Sequence, residues 1–281
     1  MTASRTALAG IISLGLAWSA GASAQLVPSG IFLNIFGPDS RVEANISEAP
    51  FQSIVQLVTR VGNRQALCTG SLVGTKWVLT NAHCVTRALV EGRNGWRQVG
   101  SIVVKVGRRE GHHFAETTAR VRALGTLSPN EDRDRDWAIL EIAETLGARF
   151  GFLPISDEIT SLDLGEEDLL LAGYSADLDS GRRQTVHAGC AFRGINDAML
   201  FHDCDSARGA SGSPLLRCSP AEQGGQCRIV ALHVAERRDG APRSLRLSSY
   251  SRSRANKAIH PRQFLRRLRA LMAQPENERT Q

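Results

Sequence analysis

The chain has 281 residues, enough for one large all-β unit or two small ones, and its 42% hydrophobic content is ordinary for a globular core. The formal charge of +6 is spread along the sequence. A basic surface favours polyanions or acidic cell surfaces, but no nucleic-acid motif and no aromatic stacking stripe supports a nucleic-acid reader.

Met1 to Ala24 reads as an export signal. Arg5 supplies the positive start, Ala7 to Trp18 the apolar run, and Ala22-Ser23-Ala24 the small-x-small cleavage pattern. The run is short and interrupted for a membrane span. The expectation is a secreted or periplasmic protein without a stable membrane anchor. Residues 25–45 lack periodicity and read as an N-terminal extension or pro-segment. From Phe51 onward the pattern is short strands and turns. Strands are expected at Ile54–Thr59, Leu67–Val73, Trp77–Leu79, Ile102–Val106, Ala119–Leu124 and Trp137–Ile142. Gly151–Gly165 bridges to a second set at Asp168–Ala172, Thr185–Ala191, Met199–His202, Pro214–Leu216, Arg228–Val234 and Leu245–Tyr250. Such regular spacing argues for a barrel or sandwich. Near the C-terminus, Phe264, Leu268, Leu271 and Met272 follow helical spacing within residues 263–273, and Pro261 suits a helix start. Residues 274–281 read as a tail.

Three stretches carry chemistry. His83 follows the strand Trp77–Leu79 directly, at the end of a hairpin flanked by Cys68 and Cys84. A loop on a rigid β scaffold is where reactive side chains are usually held. Asp136 leads straight into the apolar run from Trp137, which places an acid at a strand start; Asp132 and Asp134 compete with it in the same charged loop. Ser211 lies in the turn Arg208-Gly209-Ala210-Ser211-Gly212-Ser213 before another apolar run. Glycine permits unusual torsions and close approach there. The N–H groups of Gly209 and Ser211 can point at one spot and hold a developing oxyanion.

The histidine stretch resembles that of the trypsin-like (chymotrypsin-fold) serine proteases, the acid segment their Asp-x-Ala-Leu-Leu, and the serine turn their glutamyl-endopeptidase branch. The order His83, Asp136, Ser211 is the chymotrypsin order. The resemblance implies an all-β chain of two six-stranded antiparallel β-barrels (chymotrypsin-like) with a C-terminal helix. The protease domain would span 46–273, with barrels at about 46–150 and 166–260. His83, Asp136 and Ser211 would be the catalytic triad, with Gly209 and Ser211 as the oxyanion hole. The function implied is a secreted serine endopeptidase acting on protein or peptide substrates through an acyl-enzyme, as a monomer without cofactor. The alternative is an exported non-catalytic binding module on a protease scaffold.

The family pairs the two cysteines of the histidine hairpin, which implies Cys68–Cys84. Bracketing of hairpins extends the expectation to Cys190–Cys204 and Cys218–Cys227. No Cys-x-x-Cys spacing appears, and no metal site is expected. Asp205, six residues before Ser211, has the spacing of the acid with which trypsins bind Arg or Lys, and Ser206 follows it. His233 matches the specificity histidine of glutamyl endopeptidases. A pocket for charged side chains follows, weighted slightly toward Arg and Lys. Two features depart from the activated trypsins. Ala210 stands where those enzymes carry the aspartate that pairs with a new N-terminal amine, and the chain lacks their Ile-Val-Gly-Gly start. Trimming within 25–45 is then the activation route to be expected.

Overall fold

The computed structural model describes residues 33–275 apart from 94, 160–162, 197, 224, 236–244, 248–249 and 251–254. The expected export signal, the start of the extension and most of the tail lie outside the described residues. The strands are β1 (Leu33–Phe36), β2 (Val42–Glu43), β3 (Ile54–Val61), β4 (Arg64–Gly74), β5 (Trp77–Thr80), β6 (Leu89–Gly92), β7 (Gly95–Gln98), β8 (Ser101–Val106), β9 (Ala115–Leu124) and β10 (Ala138–Ile142). A short helix, α1 (Leu146–Phe150), precedes β11 (Leu169–Gly173), β12 (Thr185–Cys190), β13 (Phe192–Ile195), β14 (Met199–His202), β15 (Ser206–Ala207), β16 (Pro214–Cys218), β17 (Cys227–Ala235), β18 (Leu245–Leu247) and β19 (Asn256–Ile259). Helix α2 (Leu265–Ala273) follows.

The first half is a closed barrel in the order β10-β5-β4-β3-β8-β9. β3 is buried along six consecutive residues because both of its faces are covered, one by the barrel interior and one by the other half. β9 alternates between buried and exposed, as a strand with one wet face does. Val55, Leu57, Leu72, Val78, Val104 and Leu140 fill the interior.

The second half has the order β13-β14-β19-β17-β16-β11-β12-β2. Only Ala191 separates β12 from β13, so the two sides of this order are one bent strand. Its first part pairs with β11 and its second with β14, which closes a six-stranded ring with β2 added at an edge. Leu169, Leu171, Phe192, Leu200, Leu215 and Val230 form its core. The two-barrel expectation therefore holds, with a bend that period-2 patterning does not register.

A third core lies between the halves. There Ile54, Trp77, Leu79, Trp137 and Ile139 meet Ala172, Leu216, Ile229 and Ile259, and α2 joins with Phe264, Leu268 and Leu271. Trp137 and Phe264 meet at 6.4 Å between ring centroids. The helix thus fastens the second half to the first. Leu265 is buried with this face, whereas Met272, expected on it, is 39% exposed. Among the described residues no helix is long and apolar enough to cross a membrane.

Residues 33–50 belong to the folded body. β1 lies between β15, antiparallel, and β18, parallel. β2 pairs with β12.

Candidate active site

Strand register brings the histidine and the acid together. β5 and β10 are antiparallel neighbours with Thr80 opposite Ala138. Continuing that register past both strand ends sets residue 82 opposite Asp136. His83 sits there in the short helical turn Ala82–Cys84. The Asp136 carboxylate accepts the His83 backbone N–H at 2.8 Å and meets the imidazole Nδ1 at 2.7 Å. The Asn81 amide donates to the Asp136 carbonyl at 2.9 Å and fixes the strand end. Asp136 is 1% exposed and the His83 side chain 32%. An acceptor on Nδ1 keeps the proton there, so the outer Nε2 carries the lone pair. Asp132 accepts instead from the Thr126 hydroxyl.

The disulfide Cys68–Cys84 ties β4 to the histidine turn, and Cys190–Cys204 and Cys218–Cys227 are also formed. Cys68, His83 and Cys84 offer ligand atoms within 4.8 Å of one another. Both sulfurs are spent in the disulfide and give no thiolate to a metal.

The serine turn comes from the second half and is pinned to the first. The Thr69 N–H of β4 donates to the Ser211 carbonyl at 2.9 Å, and Cys84 Sγ lies 3.9 Å from the same oxygen. Ser211 and the residue next to His83 therefore touch across the boundary between barrels. The Gly212 N–H donates to the His233 carbonyl at 3.0 Å, and the Ser213 N–H to the Ala210 carbonyl at 2.9 Å. Gly212 has φ +85°, and a side chain there would run into the Thr69 carbonyl. Gly209 has φ +102°, and its missing Cβ would stand 2.5 Å from the Tyr174 carbonyl. Both positions require glycine.

The Arg208 carbonyl accepts the Ala176 N–H at 2.6 Å. The Arg208–Gly209 peptide is trans, so its N–H points opposite to its carbonyl, away from Ala176.

The three residues expected in the specificity pocket are in different situations. His233 is fully buried in β17, with Nδ1 3.1 Å from His202 Nε2. Burial, and then the nearby His83, push its pKa down to about 3. Its Nε2 and the buried Ser206 Oγ have no hydrogen-bond partner among the described residues. Asp205 is buried with both carboxylate oxygens engaged: they accept the Phe36 N–H at 2.8 Å and the Ser40 N–H at 2.9 Å. Burial raises its pKa, against the pull of those two bonds. His187 Nδ1 lies 3.5 Å from the same carboxylate.

Two groups escaped the sequence reading. His202, whose pKa burial holds well below the ordinary value, backs His233. Arg41, with its side chain 2% exposed, bonds Asp39 and Asp177. Arg41 sits in a stretch without periodicity, and His202 ends an expected strand that carries no chemical motif.

Paired β-barrels with a His–Asp couple in one and a glycine-flanked serine turn in the other define the chymotrypsin-type serine protease class. The chain belongs to the trypsin family, whose model matches residues 39–226. It is similar to the glutamyl endopeptidase of Bacillus licheniformis, with 26% identity over 216 residues, 72% of this chain and 60% of that one. With serine protease 23 of Rattus norvegicus the identity is 27% over 199 residues, 64% of this chain and 47% of that one. With inactive serine protease 35 of Mus musculus it is 24% over 256 residues, 71% of this chain and 59% of that one. The chain thus spans about half to three fifths of these relatives. A solved Glu endopeptidase shares the fold with a TM-score of 0.64 at 22% identity, covering 85% of this chain and 100% of that one. Protease Anisep of Arthrobacter nicotinovorans does so at 0.55 and 15%, covering 76% and 91%.

Proposed function

We propose that the chain is an exported serine endopeptidase with Ser211 as nucleophile, His83 as base and Asp136 as its orienting acid. The observation that carries this reading is the 2.7 Å contact between buried Asp136 and His83 Nδ1, which holds a proton on Nδ1 and leaves the Nε2 lone pair to act as base. Ser211 Oγ attacks the peptide carbonyl while His83 Nε2 takes its proton. The oxyanion develops against the N–H groups of Gly209 and Ser211. His83 then delivers the proton to the leaving amine, and water, activated the same way, hydrolyses the acyl-enzyme. Asp136 stabilises the imidazolium without itself taking the proton. Three disulfides suit an oxidising compartment and support export.

The pocket is read here as selecting an acidic side chain before the scissile bond. Asp205 is occupied by backbone donors and does not serve Arg or Lys. His233 and Ser206 each keep a buried polar atom free for a ligand. With His202 Nε2–H donating to His233 Nδ1, the remaining His233 proton stands on Nε2 and donates to a carboxylate. A peptide library varied at that position tests the choice, with Glu expected to lead; preference for Arg or Lys returns Asp205 to the pocket. A fluorophosphonate probe tests the chemistry, because only an activated serine reacts quickly. Labelling mapped to Ser211 is expected. An unlabelled, folded protein would leave the non-catalytic binding module; one relative is named an inactive serine protease.

A further inference from the structure

Resting on that reading, we propose that Arg41 is a positioning residue for the oxyanion peptide, and that the arm of residues 33–44 is a working part of the enzyme rather than a removable pro-segment. Ala210 offers no carboxylate to brace the serine turn, so the turn needs another support. The arm grips it at both ends.

One grip runs through Arg41. Its guanidinium bonds both oxygens of Asp177, at 3.1 and 2.6 Å, and both oxygens of Asp39, at 3.0 and 2.8 Å. The Asp177 side chain is 4% exposed. Burial opposes the charge on Arg41, but the bonds to Asp39 and Asp177 outweigh it and raise its pKa. Asp177 adjoins Ala176, whose N–H holds the Arg208 carbonyl at 2.6 Å. That carbonyl belongs to the peptide whose N–H is Gly209's. Turning the peptide over would place a carbonyl where the oxyanion must form and withdraw one of its two donors. The hydrogen bond from Ala176 opposes that turn, and Arg41 anchors the segment that supplies it.

The other grip runs through Asp205. Its carboxylate takes the Phe36 and Ser40 N–H groups, on either side of Gly37 and Pro38. β15 follows at once, paired with β1 through Asn34 opposite Ser206 and Leu33 opposite Ala207. The Ala207 carbonyl then accepts the Ala210 N–H at 3.0 Å. Without Arg41 the buried Asp177 keeps a charge that has lost its guanidinium, and such a charge pulls its segment toward water. The Ala176–Arg208 bond would loosen with it.

The test uses Arg41→Ala, Arg41→Lys and Asp177→Asn in the full chain, with kcat and KM measured on one acidic peptide. A peptide aldehyde of the same sequence is titrated alongside, since its adduct with Ser211 carries an oxygen at the Gly209 N–H. Losing one oxyanion donor lowers kcat roughly 10²- to 10³-fold. Arg41→Ala is expected to approach the lower figure, with KM within about twofold and aldehyde affinity falling in step with kcat. Arg41→Lys, which keeps the charge but not the bidentate contact, should fall between. Asp177→Asn combined with Arg41→Ala should be no worse than Arg41→Ala, because both act through one hydrogen bond. Circular dichroism and melting of each variant report its folded fraction. An unchanged kcat, a loss confined to KM, or a loss that only tracks the unfolded fraction would overturn the proposal while wild-type activity stands. Absence of peptide hydrolysis and of fluorophosphonate labelling in the wild type would instead bring down the endopeptidase reading.

Discussion

The two halves build their parts of the proposed site by different means. In the first, the imidazole and its acid sit at neighbouring ends of paired strands, and one hairpin disulfide fixes the loop between them. Everything the His83–Asp136 couple needs lies within the barrel that carries it. In the second, the serine turn depends on distant partners: Thr69 from the other barrel, and Phe36 and Ser40, which meet Asp205 across 169 and 165 residues of chain. The His83–Asp136 couple is thus specified locally and the serine turn by the whole fold. Substitutions in the first half should therefore act sharply at single residues, while those in the second should spread through contacts.

The largest effect is expected at the couple itself. His83→Ala and Ser211→Ala should each lower kcat at least about 10⁴-fold without a matching loss of melting temperature, because triad members act as a unit. A residual rate above about a hundredth of wild type for Ser211→Ala would reassign the nucleophile. Next comes the core that joins the halves. Leu268→Ala removes a buried side chain that packs α2 between the barrels and should cost about 2–5 kcal/mol. Urea melts that split into two transitions would show the barrels separating; a loss below about 1 kcal/mol would mean the helix merely rests on them.

Smaller in stability, and more telling for the comparison, are two of the disulfides. Replacing Cys68 and Cys84 by serine opens a link 16 residues apart, worth roughly 3 kcal/mol in the chain-entropy model. Cys218–Cys227, separated by 9, should be worth somewhat less. Only the first pair holds the histidine turn, so only its loss should lower kcat of the protein that remains folded. Equal effects on kcat would remove the distinction between local staple and remote brace.

The smallest expected effect is a pH dependence of the second half. His202 and His233 are depressed by burial first, with His233 and His187 adding to the effect on the former and His83 on the latter. A group protonated more readily in the unfolded chain draws the equilibrium toward unfolding as protons are added. The stability tied to the two imidazoles is therefore full above about pH 6.5 and is lost as pH falls toward the folded values. The slope is about 1.4 kcal/mol per pH unit for each histidine. His202→Gln should remove about half of the part of the slope that this pair contributes between roughly pH 6 and 5, a smaller part coming from His260, which burial also depresses. A slope that is unchanged would place the titration elsewhere.

What the sequence made legible follows the same division. The strands of the first barrel, the His83 turn and the acid at its strand start all register as short apolar runs and short-range motifs. α1, β1, β2, β6, β7, β13, β15 and β19 did not. β1 exists because β15 and β18 flank it from far along the chain, and β13 is the continuation of β12 past the Ala191 bend. β19, a four-residue strand after an arginine-rich run, is central because β14 and β17 flank it. Asp205 carried the spacing of a specificity acid, yet spacing says nothing about which way a carboxylate turns. Its partners lie in a segment with no periodicity to read. Burial of Arg41 was hidden for the same reason, since a single cation beside Asp39 looks like a solvated turn until Asp177 closes over it.

On the proposed reading, a base built by one barrel activates a serine presented by the other. The rate at which a fluorophosphonate modifies Ser211 measures this directly, compared between the wild type and a folded His83→Ala variant. The account predicts rapid labelling at Ser211 in the wild type and a rate lower by at least about 10³-fold in the variant. Equal labelling rates in the two proteins would show that His83 does not activate Ser211.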